Sequence, residues 1–207
     1  KAFGITARDS GLGFPGEVHG YLMKPEKWRP IAFSNIAFGQ GFLTTGLEVT
    51  QAMAVIANGG RLVRPTLIEK VVSSDGIIVS TAPSLVPEQV ISPATARTMR
   101  QLLARVVTEP RGTGNRARAT LFSTAGKTGT AQKVAPGVRG YHKDKRLASF
   151  VGFAPVADPH LVIYVVIDEP REKPYYGGLW AAPVFAAVAE RTLRYLNVGP
   201  DLPLAGE

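Results

Sequence analysis

Apolar positions along the chain fall into two regimes. Residues 1–30 carry Gly and Pro without sustained periodicity, and Phe14-Pro15-Gly16 and Lys24-Pro25 read as turns. This predicts extended, loop-rich chain laid over something else. From Gly46 the spacing becomes helical, with Leu47, Val49, Met53, Val55 and Ile56 among alanines, and Asn58-Gly59-Gly60 supplies a C-terminal stop. Residues 62–72 and 77–80 flank Ser73-Ser74-Asp75-Gly76, the signature of a hairpin with an Asp-Gly turn. Ser92 followed by Pro93 is an N-cap with Pro at the first helical position, and Met99, Leu102, Leu103, Val106 and Val107 form a stripe at helical spacing. That helix is expected to stop near Pro110, before the loop Gly112-Thr113-Gly114.

Three strands are predicted next, over 123–134, 148–154 and 161–167, the last two joined by a turn at Val156–His160. Residues 161–167 are almost all β-branched, which predicts a central strand covered on both faces. A final helix is expected over 181–196, with Val184, Phe185, Val188, Leu193 and Leu196 on its apolar side, and residues 200–207 read as a tail. Strands adjacent in sequence need no crossovers, so the fold class is α+β: an antiparallel sheet packed with helices. Residues 1–199 are assigned to one domain or part of one.

Composition narrows this picture modestly. Of 207 residues, 45% are hydrophobic and 19% charged, ordinary values for a folded chain. The net charge of +8 comes from scattered residues. Its densest run, His142-Lys143-Asp144-Lys145-Arg146, reads as a solvated loop, so a nucleic-acid-binding face is not expected. The chain has no cysteine, and His19, His142 and His160 lie too far apart for metal-ligand spacing. No stretch approaches the roughly 18–20 apolar residues that span a bilayer, so any membrane anchor is expected outside this chain.

One segment carries chemistry: Lys127-Thr128-Gly129-Thr130, within 123–133. An ammonium, two hydroxyls and a glycine on a strand suit the capture of a carboxylate: the lysine supplies charge, the threonines supply directional donors, and the glycine lets a ligand approach closely. An extended peptide could add to the strand edge. Strict alternation puts Lys127 and Gly129 on one face and Thr128 and Thr130 on the other, so one cleft can use them all only along the edge.

Alone, Lys-Thr-Gly is a weak signal. It gains weight from Pro15-Gly16-Glu17 after Phe14, Gly20, Trp28, Phe38-Gly39-Gln40-Gly41, Thr44-Thr45, Asn58-Gly59-Gly60, Phe150–Pro155, Tyr175-Tyr176-Gly177-Gly178 and Ala182–Phe185. In this order and spacing the chain resembles the C-terminal part of the transpeptidase domain of class B penicillin-binding proteins, most of all their division-specific type. The resemblance implies a penicillin-binding protein/serine β-lactamase-like fold, here incomplete, and a peptidoglycan D,D-transpeptidase without metal or organic cofactor. It implies Lys127 in acylation and proton transfer, Thr128 and Thr130 on the substrate carboxylate, and the Thr130 N–H as half of an oxyanion hole. It places the 175–178 loop near the cleft rim.

Implied partners are peptidoglycan stem peptides, β-lactam antibiotics and other cell-wall synthesis and division proteins, at the periplasmic (extracytoplasmic) face of the cytoplasmic membrane. β-Lactamases and carboxypeptidases share Lys-Thr-Gly, but the flanking motifs fit them less well. A non-catalytic binding domain is a further alternative. The family's Ser-x-x-Lys and Ser-x-Asn are not found: Ser10, Ser34, Ser73, Ser74, Ser80, Ser84, Ser92, Ser123 and Ser149 lack both spacings. Both motifs precede Lys-Thr-Gly in the family, so the chain is expected to be a shortened form that does not acylate alone.

Overall fold

The structure is a computed structural model and describes residues 2–6, 10, 12, 15–81, 87–134, 137 and 140–203. The expected turn at Phe14 therefore falls partly outside the described residues. Its elements in chain order are α1 (Pro30–Ala37), α2 (Gly46–Ala57), β1 (Arg61–Leu62), β2 (Lys70–Val72), β3 (Ile78–Thr81), β4 (Glu88–Gln89), α3 (Pro93–Thr108), β5 (Ala125–Val134), β6 (Tyr141–Ala154), β7 (Leu161–Asp168) and α4 (Gly177–Tyr195). Short 3-10 turns lie at Pro25–Lys27 and Asn115–Ala117.

The main sheet has the order β5-β6-β7 and is antiparallel throughout. Along β6, side chains alternate between two cores. Phe150 and Ala154 face α4 and pack with Phe122, Ala181, Phe185 and Leu193. Phe153 faces the other way, against Met53 and Ala57 of α2 and Leu103 of α3. The Phe150 and Phe185 rings meet at 4.8 Å in a tilted arrangement, a favourable geometry for two quadrupoles. The result is helix on sheet on helix, the expected α+β architecture.

Local signals in the sequence explain the helix ends. Thr45 caps α2 by accepting from the Glu48 N–H, and the Glu48 carboxylate returns to the Thr45 N–H at 2.9 Å, a full capping box. Gly59, with φ +64°, ends α2, and the Gly60 N–H bonds the Val55 carbonyl. Ser92 caps α3 at the Thr95 N–H with Pro93 in the first turn, as expected. The Asp75-Gly76 turn forms with Gly76 at φ +83°; the strand after it has the expected length, whereas the strand before it is confined to Lys70–Val72.

Several expectations are corrected. Residues 161–167 form a strand, but it lies at the edge of the described sheet; β6 is the central one, because it alone pairs on both sides. The basic run 142–146 belongs to β6, where Gln132 pairs with Arg146 and Val134 with Tyr141, so backbone pairing overrides its polarity. Leu102 of the α3 stripe is 49% exposed; Ala96, Leu103 and Val107 are the residues α3 buries. Helix α4 begins four residues before Ala181, and Val184, Val188 and Leu196 remain largely exposed. The α1 helix and the β1–β4 pair had no counterpart in the periodicity. The tail is docked as far as Leu202: the Asp201 and Leu202 N–H groups bond the Leu121 carbonyl, and Asp201 accepts from the Ser123 N–H at 2.7 Å. Residues 204–207 lie outside the described residues.

Candidate active site

Strand β5 enters the molecule buried at Ala125 and Gly126 and emerges at Lys127. Gly126 is required by packing: a Cβ there would lie 2.4 Å from the Val151 carbonyl oxygen and 2.6 Å from the Phe150 ring. Among the described residues β5 pairs only with β6, which leaves its outer edge open at Lys-Thr-Gly-Thr. Register fixes the faces. Lys127 pairs with Val151, on the α2–α3 side, whereas Thr128 pairs with Phe150, on the α4 side.

The edge reconciles these faces. Lys127 Nζ curls along the strand and donates to the Thr128 carbonyl at 3.2 Å and to Thr128 Oγ1 at 3.4 Å. Ammonium and hydroxyl thus converge although their Cβ atoms point apart.

Two further segments complete the cleft. The first is the loop after α3. Asn115 donates to the carbonyls of Val107 and Glu109, Arg118 donates to those of Val107 and Thr108, and the Gly114 N–H bonds the Val106 carbonyl. These bonds satisfy the C-terminal carbonyls of α3, which no residue of the helix can reach. They also fold the loop back so that Thr113 Oγ1 sits 3.0 Å from Thr128 Oγ1.

The second segment is the start of α4. The Gly177 N–H donates to Thr130 Oγ1 at 3.3 Å. A Cβ on Gly177 would lie 2.0 Å from the Ser149 carbonyl oxygen, and one on Gly178 would lie 2.0 Å from that of Thr113. The two glycines are what allow α4 to begin against the strand, and they put Tyr176 at the cleft.

Beyond the cleft, Lys133 of β5 bonds Asp168 at 2.9 Å and Glu169 at 2.7 Å, while Lys145 reaches Glu169 at 3.2 Å. Lys133 holds the Glu169 carboxyl below its ordinary range, with Lys145 adding to the effect, and Glu169 in turn raises the Lys133 ammonium. This network anchors the chain that leads from β7 towards Tyr176.

The resulting cleft has about 450 Å³ and is lined by Thr113, Arg116, Thr128, Thr130, Tyr176 and Gly178 among others. That volume suits a small ligand. A cavity of about 490 Å³ between α3 and residues 118–124 is slightly larger but more apolar, and its Arg118 is already committed to the α3 carbonyls. Hydroxyl donors converge in the first, which makes it the candidate site.

Lys127, Thr128, Gly129 and Thr130 thus stand together on one strand edge, beside the Tyr176–Gly178 segment. Thr113 and Arg116 were not singled out from the sequence. Neither carries a local signal, since Thr113 lies 15 residues before Thr128 and meets it only through the refolded loop. Among the described residues there is no group of three or more His, Asp or Glu that could hold a metal.

The site is thus an antiparallel sheet between helices, with Lys-Thr-Gly-Thr on its open edge. Residues 1–190 match the family model described as penicillin binding protein transpeptidase domain, and the chain belongs to that family. It is 40% identical over 190 residues to the probable peptidoglycan D,D-transpeptidase PbpC of Pseudomonas aeruginosa, covering 92% of this chain and 31% of that protein. It is 36% identical over 203 residues to stage V sporulation protein D of Bacillus subtilis, covering 97% of this chain and 30% of the relative.

Among solved structures, penicillin-binding protein 3 of Mycobacterium tuberculosis in complex with ampicillin superposes with a TM-score of 0.87 at 34% identity, over 100% of this chain and 46% of that one. The apo transpeptidase domain of Burkholderia pseudomallei penicillin-binding protein 3 gives 0.82 at 36%, over 98% and 57%. The chain therefore spans about a third of the length of the curated relatives it matches. No helix among the described residues is long and apolar enough to cross a membrane.

Proposed function

We propose that this chain contributes one wall of the active site of a serine D,D-transpeptidase that cross-links peptidoglycan stem peptides and is acylated by β-lactams. The observation that carries the reading is the open edge of β5, where Lys127 Nζ meets Thr128 Oγ1 and where Thr128 and Thr130 face a ligand-sized cleft. The relatives named as D,D-transpeptidases and the ampicillin complex of a structural neighbour support it.

In this reading a serine from a Ser-x-x-Lys segment outside the chain attacks the carbonyl carbon of the donor's terminal D,D-peptide bond. The C–N bond breaks, the terminal residue leaves as its protonated amine, and an amine of a second stem peptide then attacks the ester and frees the serine. Lys127 supplies a positive field at the reacting centre. Thr128 and Thr130 hold the terminal carboxylate. Gly129 lets the donor backbone lie against β5, and the Thr130 N–H is one of the two donors to the developing oxyanion. The reaction uses side chains and backbone donors alone.

The protein acts in this proposal on the extracytoplasmic side of the cytoplasmic membrane, alongside other division and wall-synthesis proteins. Intact-mass measurement after incubation with a penicillin tests the proposal, on this chain and on a longer protein that also carries Ser-x-x-Lys and Ser-x-Asn. An adduct of one penicillin on the longer protein only is expected. An adduct on this chain alone would refute the assignment of the nucleophile elsewhere, and no adduct on either would favour a non-catalytic binding domain.

A further inference from the structure

We infer that Arg116 is the charge-selecting residue of the cleft, discriminating ligands with a free carboxylate from neutral ones of the same shape. The inference rests on the proposed acyl-transfer reading and adds a specificity determinant to it. Arg116 lies in the 3-10 turn Asn115–Ala117, whose position is set by the Asn115 and Arg118 bonds to the end of α3. Its neighbours' polar groups are committed to the backbone. Arg116 itself makes no ion pair among the described residues, and it lines the cleft with Thr113, Thr128 and Thr130. No acidic residue lines that cleft among the described ones.

The hydroxyls explain why a carboxylate fits. Thr113 and Thr128 share one hydrogen bond, which consumes one of their two protons and leaves the other to donate. Thr130 Oγ1 already accepts from the Gly177 N–H, which leaves its own proton free. Lys127 adds ammonium donors at the edge. Thr113, Thr128, Thr130 and Arg116 all bring donors to the cleft that they line. A carboxylate accepts from several of them at once and carries the charge that Arg116 complements. The threonines can orient either oxygen of such a ligand, but they are neutral. Arg116 supplies permanent charge to the cleft that it lines.

The test uses the longer protein carrying the Ser-x-x-Lys segment, with benzylpenicillin and its methyl ester as probes, which differ in the one charge. The readout is the second-order acylation rate for the wild type, Arg116→Gln and Arg116→Lys. Arg116→Gln is expected to slow benzylpenicillin about tenfold, the factor that a single charge-assisted contact of about 1.4 kcal/mol would give. It should leave the methyl ester within about twofold, because that probe has no charge to lose. Arg116→Lys should restore most of the rate.

Equal slowing of both probes would make Arg116 a structural residue, and unchanged rates for both would remove it from the site; either overturns the inference while leaving the transpeptidase reading intact. A wild-type protein acylated by neither probe would overturn the transpeptidase reading, and the inference with it.

Discussion

Gly177 begins α4 and sits against the two strands that carry the site, so replacing it with alanine opposes two physical effects of known size. On helix propensity alone, Gly→Ala favours the helical state by up to about 1 kcal/mol. On packing, the new methyl would lie 2.0 Å from the Ser149 carbonyl oxygen and 2.5 Å from that of Gly129. Optimal carbon contacts are about 3.5–4.0 Å, so the first gap must open by more than about 1 Å. Both obstacles are backbone atoms of β5 and β6, and neither can turn aside as a flexible side chain would. Overpacking of this kind costs about 1–3 kcal/mol, and the steric effect wins.

Gly177→Ala is therefore expected to destabilise the fold by about 1–2 kcal/mol, which lowers the thermal midpoint by about 2–4 °C per kcal/mol in a chain of this size. The same displacement lengthens the 3.3 Å bond from the Gly177 N–H to Thr130 Oγ1, so the Thr130 amide resonance should move in a nitrogen–proton correlation spectrum. Gly199→Ala is the control, since nothing lies within 4 Å of its Cβ position, and its midpoint should match the wild type. A Gly177→Ala protein as stable as the wild type, or more so, would refute the packing argument and return α4 to propensity alone.

Three further substitutions test other parts of the fold. Glu48 is buried, and its carboxylate accepts from the N–H groups of Thr6, Gly20 and Thr45 and from the Thr44 hydroxyl. Burial is the largest single influence and pushes its pKa up, but the four donors together bring it below the ordinary value. Its stabilisation is thus fully present above the unfolded carboxylate range and fades as pH falls through the folded value. Denaturant unfolding should show Glu48→Gln about 1–2 kcal/mol less stable at neutral pH, with the difference closing under acid. Phe185→Ala removes a fully buried ring tilted against Phe150 and should cost about 3–5 kcal/mol, against less than about 0.5 for the exposed Val188→Ala, by the same measurement. Ser92→Ala should lose about 1 kcal/mol of stability with the α3 cap, and a Ser92→Asp protein should retain most of it.

How much of this protein could be read without coordinates depended on whether the cause was local. Helix α2 and the start of α3 were legible because a glycine stop in the one, and a capping serine followed by proline in the other, act within one turn of the residues they organise. The Asp75-Gly76 turn was legible because a positive φ at the second residue selects glycine. The placement of Lys127–Thr130 on a strand was legible from the pattern of residues 123–134. Helix α4 starts four residues before the expected Ala181; Gly177 and Gly178 lie against β5, β6 and the Thr113 loop, and Pro183 falls inside the helix.

The sequence by itself determined the α+β class and the positions of α2, α3, the Asp75-Gly76 turn and the three main strands, because periodicity, caps and turns are properties of neighbouring residues. Only the tertiary structure decided that β6 rather than β7 is central and that residues 142–146 extend a strand, since pairing partners are set by the sheet and not by hydropathy. The cleft was likewise a tertiary decision. Thr113, Arg116 and Gly177 reach Thr128 and Thr130 only after the loop closes on the carbonyls of α3 and α4 packs against β5, and no spacing along the chain encodes contacts made across those distances.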